Sequence, residues 1–153
     1  MRPAPRAEIP AEEEEQDSAD FQLCMAYVRS HAAGEAEGLF GPESVSWTIF
    51  REPATLLGGI AAVLLQLAHP AVASGVGEHS TFRQDVRGRA ERTSTVMYRL
   101  IFGSLADVTG VLTRLYRIHR LVRGLIDAPG AAAHGRAYRA NERPLLLWVG
   151  STV

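Results

Sequence analysis

A chain of 153 residues, 46% hydrophobic and 22% charged, has the size and polarity of one packed domain rather than two. Its net charge of −1 conceals a division: residues 1–20 hold seven acids against two arginines, and arginine is in surplus after them. All sixteen basic residues are arginine, but they are scattered without the interleaved aromatics that stack bases, which argues against a nucleic-acid partner.

The lone Cys24 excludes an internal disulfide and suits a reducing compartment. The N-terminus carries an acidic run, Glu12 to Glu15, and no apolar stretch of the kind a secretory signal needs. A cytoplasmic location is therefore the expectation.

Residues 1–16, rich in Pro, Ala and Glu, have too little apolar surface to repay ordering and read as a disordered acidic tail. The ordered domain is expected over 17–153. Its first helix is expected to start at Asp17 or Ser18 as N-cap and to run through FQLCMAYVRSHAA to Gly34. Gly38 and Gly41-Pro42 mark a turn, and a short helix capped by Ser44 or Ser46 follows it and stops at Pro53.

Residues 54–77 carry no charge, a run long enough to cross a bilayer. Pro70 divides it, because proline fits the first turn of a helix and not its interior. The expected product is two joined helices, the first over Ala54 to Ala68, buried on all sides in a helical core. Peripheral membrane contact remains an open alternative.

In the next segment Val86, Ala90, Thr93, Met97 and Leu100 fall on one helical face, closed by Gly103. After it Leu105, Val108, Leu112, Leu115, His119, Val122 and Ile126 step by three and four, a seam with a histidine where an apolar residue is expected. Asn141 is a candidate N-cap for a last helix, ERPLLLWVGSTV. No window shows strand alternation with hairpin turns, so the chain reads as all-α, a single domain of six to seven helices.

His119 has two readings. It is a core histidine with one nitrogen hydrogen-bonded, or it is a metal or haem ligand, since a neutral imidazole in an apolar setting is what axial iron coordination requires. Arg123, four residues on, is either a solvated helix arginine or the partner of an anionic group such as a haem propionate. Arg89 and Thr93 share a face with Arg92 beside them, either as a bonded core hydroxyl with its neighbours or as groups that orient a polar ligand. His69 and His79 match no compact metal motif, and no hydrolase, P-loop or dinucleotide fingerprint is present.

The stretches GLFGPESVSW, LLGGIAAVLLQLAHPAVASGVGEHSTFRQDVRGRAERT, HRLVRG and ANERPLLLWV together resemble the oxygenase family that groups mpaB-type enzymes with the latex-clearing rubber oxygenases. The resemblance runs from Gly38 to the end. It implies an all-helical fold, haem b, and dioxygen used on a small apolar substrate of isoprenoid type. It makes His119 similar to the proximal haem-iron ligand and Arg123 to an arginine of the same motif. Arg89 and Thr93 match residues on the oxygen-binding side, where Arg92 stands in place of a lysine and keeps the charge but not the geometry.

Two departures qualify that expectation. The family motif Trp-Val-His is Trp148-Val149-Gly150 here, and family members continue with further helices beyond the point matching Val153. A fragment or shortened product is therefore expected, and with it a second reading: a non-catalytic helical remnant that self-associates to cover an apolar face. A haem-free metal site built from His69, His79 and His119 is a third.

Overall fold

The computed structural model describes residues 10–80 and 85–152. Seven helices follow in chain order: α1 (Ala11–His31), α2 (Val45–Phe50), α3 (Thr55–Leu67), α4 (Pro70–His79), α5 (Val86–Phe102), α6 (Leu105–His119) and α7 (Arg143–Ser151). Two short strands, β1 (Arg123–Leu125) and β2 (Ala137–Arg139), stand between α6 and α7. The all-α expectation holds, with that hairpin as an addition.

The acidic residues of the supposed tail do not behave as one. Helix α1 begins at Ala11, with Pro10 as N-cap, so residues 11–16 are helical and the expected start at Asp17 or Ser18 is superseded. Glu12, Glu13 and Glu14 occupy the first turn, where carboxylates complement the partial positive charge of a helix start, and glutamate itself is a good helix former. Residues 1–9 lie outside the described residues.

Helices α5 and α6 pack against each other, and α1 packs on α6 through the stacked rings of Phe21 and Tyr116, 4.2 Å apart. Met25, Val28, Ile101, Val108 and Val111 are buried there. The start of α6 is a capping box: the Ser104 hydroxyl accepts from the Asp107 amide while the Asp107 carboxylate accepts from the Ser104 amide. A second core joins Ala71 of α4, Ile126 and Tyr138 of the hairpin, and Leu145 of α7.

Pro70 acts as expected. His69 is the N-cap of α4, its Nδ1 accepting from the Ala71 amide at 3.2 Å, and α3 and α4 meet at 104°. No single helix among the described residues is long and apolar enough to cross a membrane.

The expectation for α3 fails in the opposite sense from a membrane span. None of its residues is buried, and Leu56, Leu57, Ile60, Leu64 and Leu65 are each more than half exposed. The helix packs mainly on α4, and Trp148 of α7 donates to the Gln66 carbonyl at its end. An uncharged sequence shows that a helix seeks an apolar surround; it does not supply the surround.

Two further readings change at the C-terminal side. The three-and-four seam is helical only as far as His119, because Val122 and Ile126 belong to the hairpin, where the Val122 carbonyl accepts from Ala140 and the Ile126 amide donates to Arg136. Strands of three residues are too short for alternation to register, so the hairpin leaves no pattern in the sequence. Asn141 is not a cap: it is buried with its amide directed at the Tyr116 carbonyl, and Glu142 precedes α7 instead.

Candidate functional site

His119 ends α6, the best-organised helix of the chain. Its ring is largely withdrawn from water, and that burial alone holds its pKa below the usual histidine range. The ring makes no hydrogen bond to any described residue. What remains is a neutral imidazole with an uncommitted lone pair.

Beyond His119 the backbone turns sharply, the amides of Leu121 and Val122 donating to the carbonyls of Ile118 and His119 at 3.0 Å. Arg123 therefore lies in β1, not one turn further along α6, and the shared helical face with His119 does not exist. Its guanidinium points to Glu14 of α1, 4.0 Å away, and its carbonyl accepts from His79 Nε2 at 3.1 Å.

On α5 the first turns hold Arg89, Arg92 and Thr93. Asp85 caps the helix by accepting from the Gly88 amide and also pairs with Arg92 at 3.2 Å. These bonds, the amide first, hold its carboxyl below the usual range. Arg89 donates to the Ser80 hydroxyl just beyond α4; burial first, and then the nearby Arg92, lower its own pKa. Thr93 is exposed, as are Val86 and Ala90, so the inward face of α5 begins only at Met97, Leu100 and Ile101.

The structure thus gathers Asp85, Arg89, Arg92 and Ser80 at one end of α5, and His119, Arg120 and Arg123 at the end of α6. Two open hollows lie elsewhere, one lined by Thr95, Tyr98 and Phe102, the other by Met25, Thr109 and Arg114. Neither is lined by His119, Arg89 or Thr93.

The three-histidine metal site is excluded by placement. No group of three His, Cys, Asp or Glu residues among those described is arranged to hold an ion. His69 is spent on capping α4, its ring 5.8 Å from that of Trp148, and His79 holds the Arg123 carbonyl. A haem iron asks for less, a single neutral imidazole, and His119 has the chemistry of that donor.

Sequence reasoning missed Tyr138. Its side chain is 2% exposed, and its hydroxyl donates to Glu78 Oε2 at 3.1 Å. Burial, and then the Glu78 carboxylate, push its pKa far above the phenol range, so it stays a donor. Gly75 and Gly124 flank the ring closely enough that an added Cβ would press on it. The loop sequence around Tyr138 carries no sign of this; a conventional apolar periodicity is absent there.

A body of seven helices with one short hairpin among the described residues places the chain in the all-α class. More narrowly, the chain belongs to the family described as ER-bound oxygenase mpaB/B′ and rubber oxygenase, whose catalytic-domain model it matches over residues 47–153. The matched part runs from α2 to α7 and leaves α1 outside. No curated protein and no solved structure matches the chain.

Proposed function

We propose that this oxygenase-family domain is haem-dependent, with haem b held through His119 and dioxygen used on a small apolar substrate of isoprenoid type. The observation that carries the reading is the His119 imidazole, partly buried, held below the usual histidine pKa by desolvation and without a hydrogen-bond partner among the described residues. Bound there, haem would supply iron for the activation of dioxygen. The chain's own residues do the rest. His119 offers its lone pair, Arg123 offers a cation to a propionate, and Arg89, Arg92 and Thr93 present polar groups on the oxygen side. The uncharged surface of α3 supports an apolar substrate.

The test is an absorption spectrum of the purified chain after addition of haem. A Soret band is expected in the wild type and in Thr93→Ala, and its loss or shift in His119→Ala. No band in the wild type, or one that His119→Ala leaves unaltered, overturns the reading.

The exposed α3 leucines favour one other reading, a non-catalytic helical protein that self-associates through this face. Sedimentation separates the two: oligomers that dissociate in Leu57→Glu/Leu64→Glu, without haem binding, support the alternative, and a haem-binding monomer removes it.

A further inference from the structure

Three arginines around the end of α6 and the hairpin are met by carboxylates from the far end of the chain. Glu14 spans two of them: its Oε2 lies 3.4 Å from Arg120 Nη2 and its Oε1 4.0 Å from Arg123 Nη1. The preceding residue, Glu13, places its Oε2 3.0 Å from Arg139 Nη2. Arg139 is only 18% exposed and is also held by Asp17 at 3.2 Å and Glu142 at 3.6 Å.

These contacts differ in how firmly the acidic partner is anchored. Asp17 is well covered, and α1 beyond it is fixed by Phe21 against Tyr116 and by buried Met25 and Val28. Residues 11–16 are all exposed, and the contacts that tie them to the body are the ion pairs of Glu13 and Glu14. Exposed ion pairs in water are weak and are screened further by salt. The first turn and a half of α1 is thus a lightly attached plug on a seat of three arginines, one of them already paired with Asp17 and Glu142.

We infer that Arg120, Arg123 and Arg139 form a binding site for a carboxylate-bearing ligand, which the chain's own Glu13 and Glu14 occupy by mimicry until an external anion displaces them. The stereochemistry is that of the seat itself: one carboxylate lying between two guanidinia, one oxygen toward each, and a second carboxylate from the adjacent residue on a third guanidinium. A ligand with two carboxylates matches this better than a single small anion. Such a ligand has two sources, a free polycarboxylate or the paired propionates of haem, and the second source rests on the haem reading above. Because Arg120 follows His119 directly and Arg123 lies four residues on, displacement of the plug would open the ground beside the proposed iron ligand.

The experiment uses the full chain with citrate as probe, at constant ionic strength balanced by sodium chloride. In the wild type, calorimetry should show weak citrate binding, and amide exchange over residues 11–16 should accelerate as citrate is added. Glu13→Gln/Glu14→Gln should bind citrate about fivefold more tightly, since two weak ion pairs no longer compete. Arg120→Gln/Arg123→Gln should not bind it, with circular dichroism confirming that the chain is folded. Equal citrate affinity in wild type and Glu13→Gln/Glu14→Gln, or binding that survives Arg120→Gln/Arg123→Gln, overturns the proposal.

Haem titration forms the second arm. If the propionates are the natural occupant, Glu13→Gln/Glu14→Gln develops its Soret band at lower haem concentration, whereas His119→Ala loses the band yet still binds citrate. Citrate binding that follows this pattern with no Soret band in any variant retains the anion site and rejects the haem reading alone.

Discussion

Tyr138→Ala is expected to lower stability by about 3–5 kcal/mol, the range for removing a buried aromatic side chain. Set against the usual 5–15 kcal/mol of a small domain, that loss removes about a third or more of the stability unless the domain sits at the top of the range. Tyr138 touches every part of its core: it is buried with Ala71 of α4, Ile126 beside β1 and Leu145 of α7. The hairpin otherwise has three paired positions to hold it, and α7 is a helix of nine residues. Both depend on this ring. Tyr138→Phe separates the apolar contribution from the hydrogen bond. It keeps the ring and loses only the bond to Glu78, whose side chain is 33% exposed and can turn to water. A cost of about 1 kcal/mol follows for phenylalanine. Urea unfolding followed by circular dichroism measures both variants, and equal midpoints for Ala and Phe would mean that the packing argument is wrong.

The second large effect lies at Gly38, which has φ +70° and whose added Cβ would run into the Gly103 carbonyl. The backbone around it is closely tied: its amide donates to Gly34 at 2.9 Å, its carbonyl accepts from Ala33 at 2.9 Å, and the Leu105 amide donates to Glu35 at 3.0 Å. The turn after α1 is thereby fastened to the first residues of α6, and it cannot move aside without releasing the capping box. Gly38→Ala is expected to cost about 3 kcal/mol, the left-handed backbone contributing about 1–2 of it and the collision the rest. Gly110→Ala is the control. It sits in the middle of α6 with nothing near its missing Cβ, and alanine there is expected to stabilise by about 0.5–1 kcal/mol. Thermal melts of the pair should move in opposite directions; a Gly38→Ala chain that melts with the wild type removes the argument.

Much of the helical framework is legible in the residue pattern. Ser44, Pro70 and Gly103 mark helix boundaries because each acts through its own backbone or cap chemistry, within a few residues. The spacing from Leu105 to His119 is legible for the same reason, since one helix face needs no partner to be recognised. Where the outcome depends on a distant segment, the pattern fails. The α1 start is set partly by Arg120 and Arg139, more than a hundred residues away, and the burial of α3 depends on neighbours that its own composition cannot provide.

The candidate site divides along the same line. His119 stands out locally, as a polar residue in an apolar seam, and the structure gives it a partly buried ring whose pKa is lowered by desolvation, which makes it worth testing. Arg123 was placed by extending a helix that ends four residues earlier, so its residue number was informative and its geometry was not. Tyr138 and Glu78 meet across sixty positions of chain and left no trace in either neighbourhood.

The exposed flank of α3 bears on how the molecule can be handled. Since Leu57, Ile60 and Leu64 are each more than 60% exposed, their side chains contribute little to holding the fold together. Replacing them with lysine changes colloidal behaviour at almost no cost in folding free energy. The same exposed surface is therefore a forgiving region for engineering solubility.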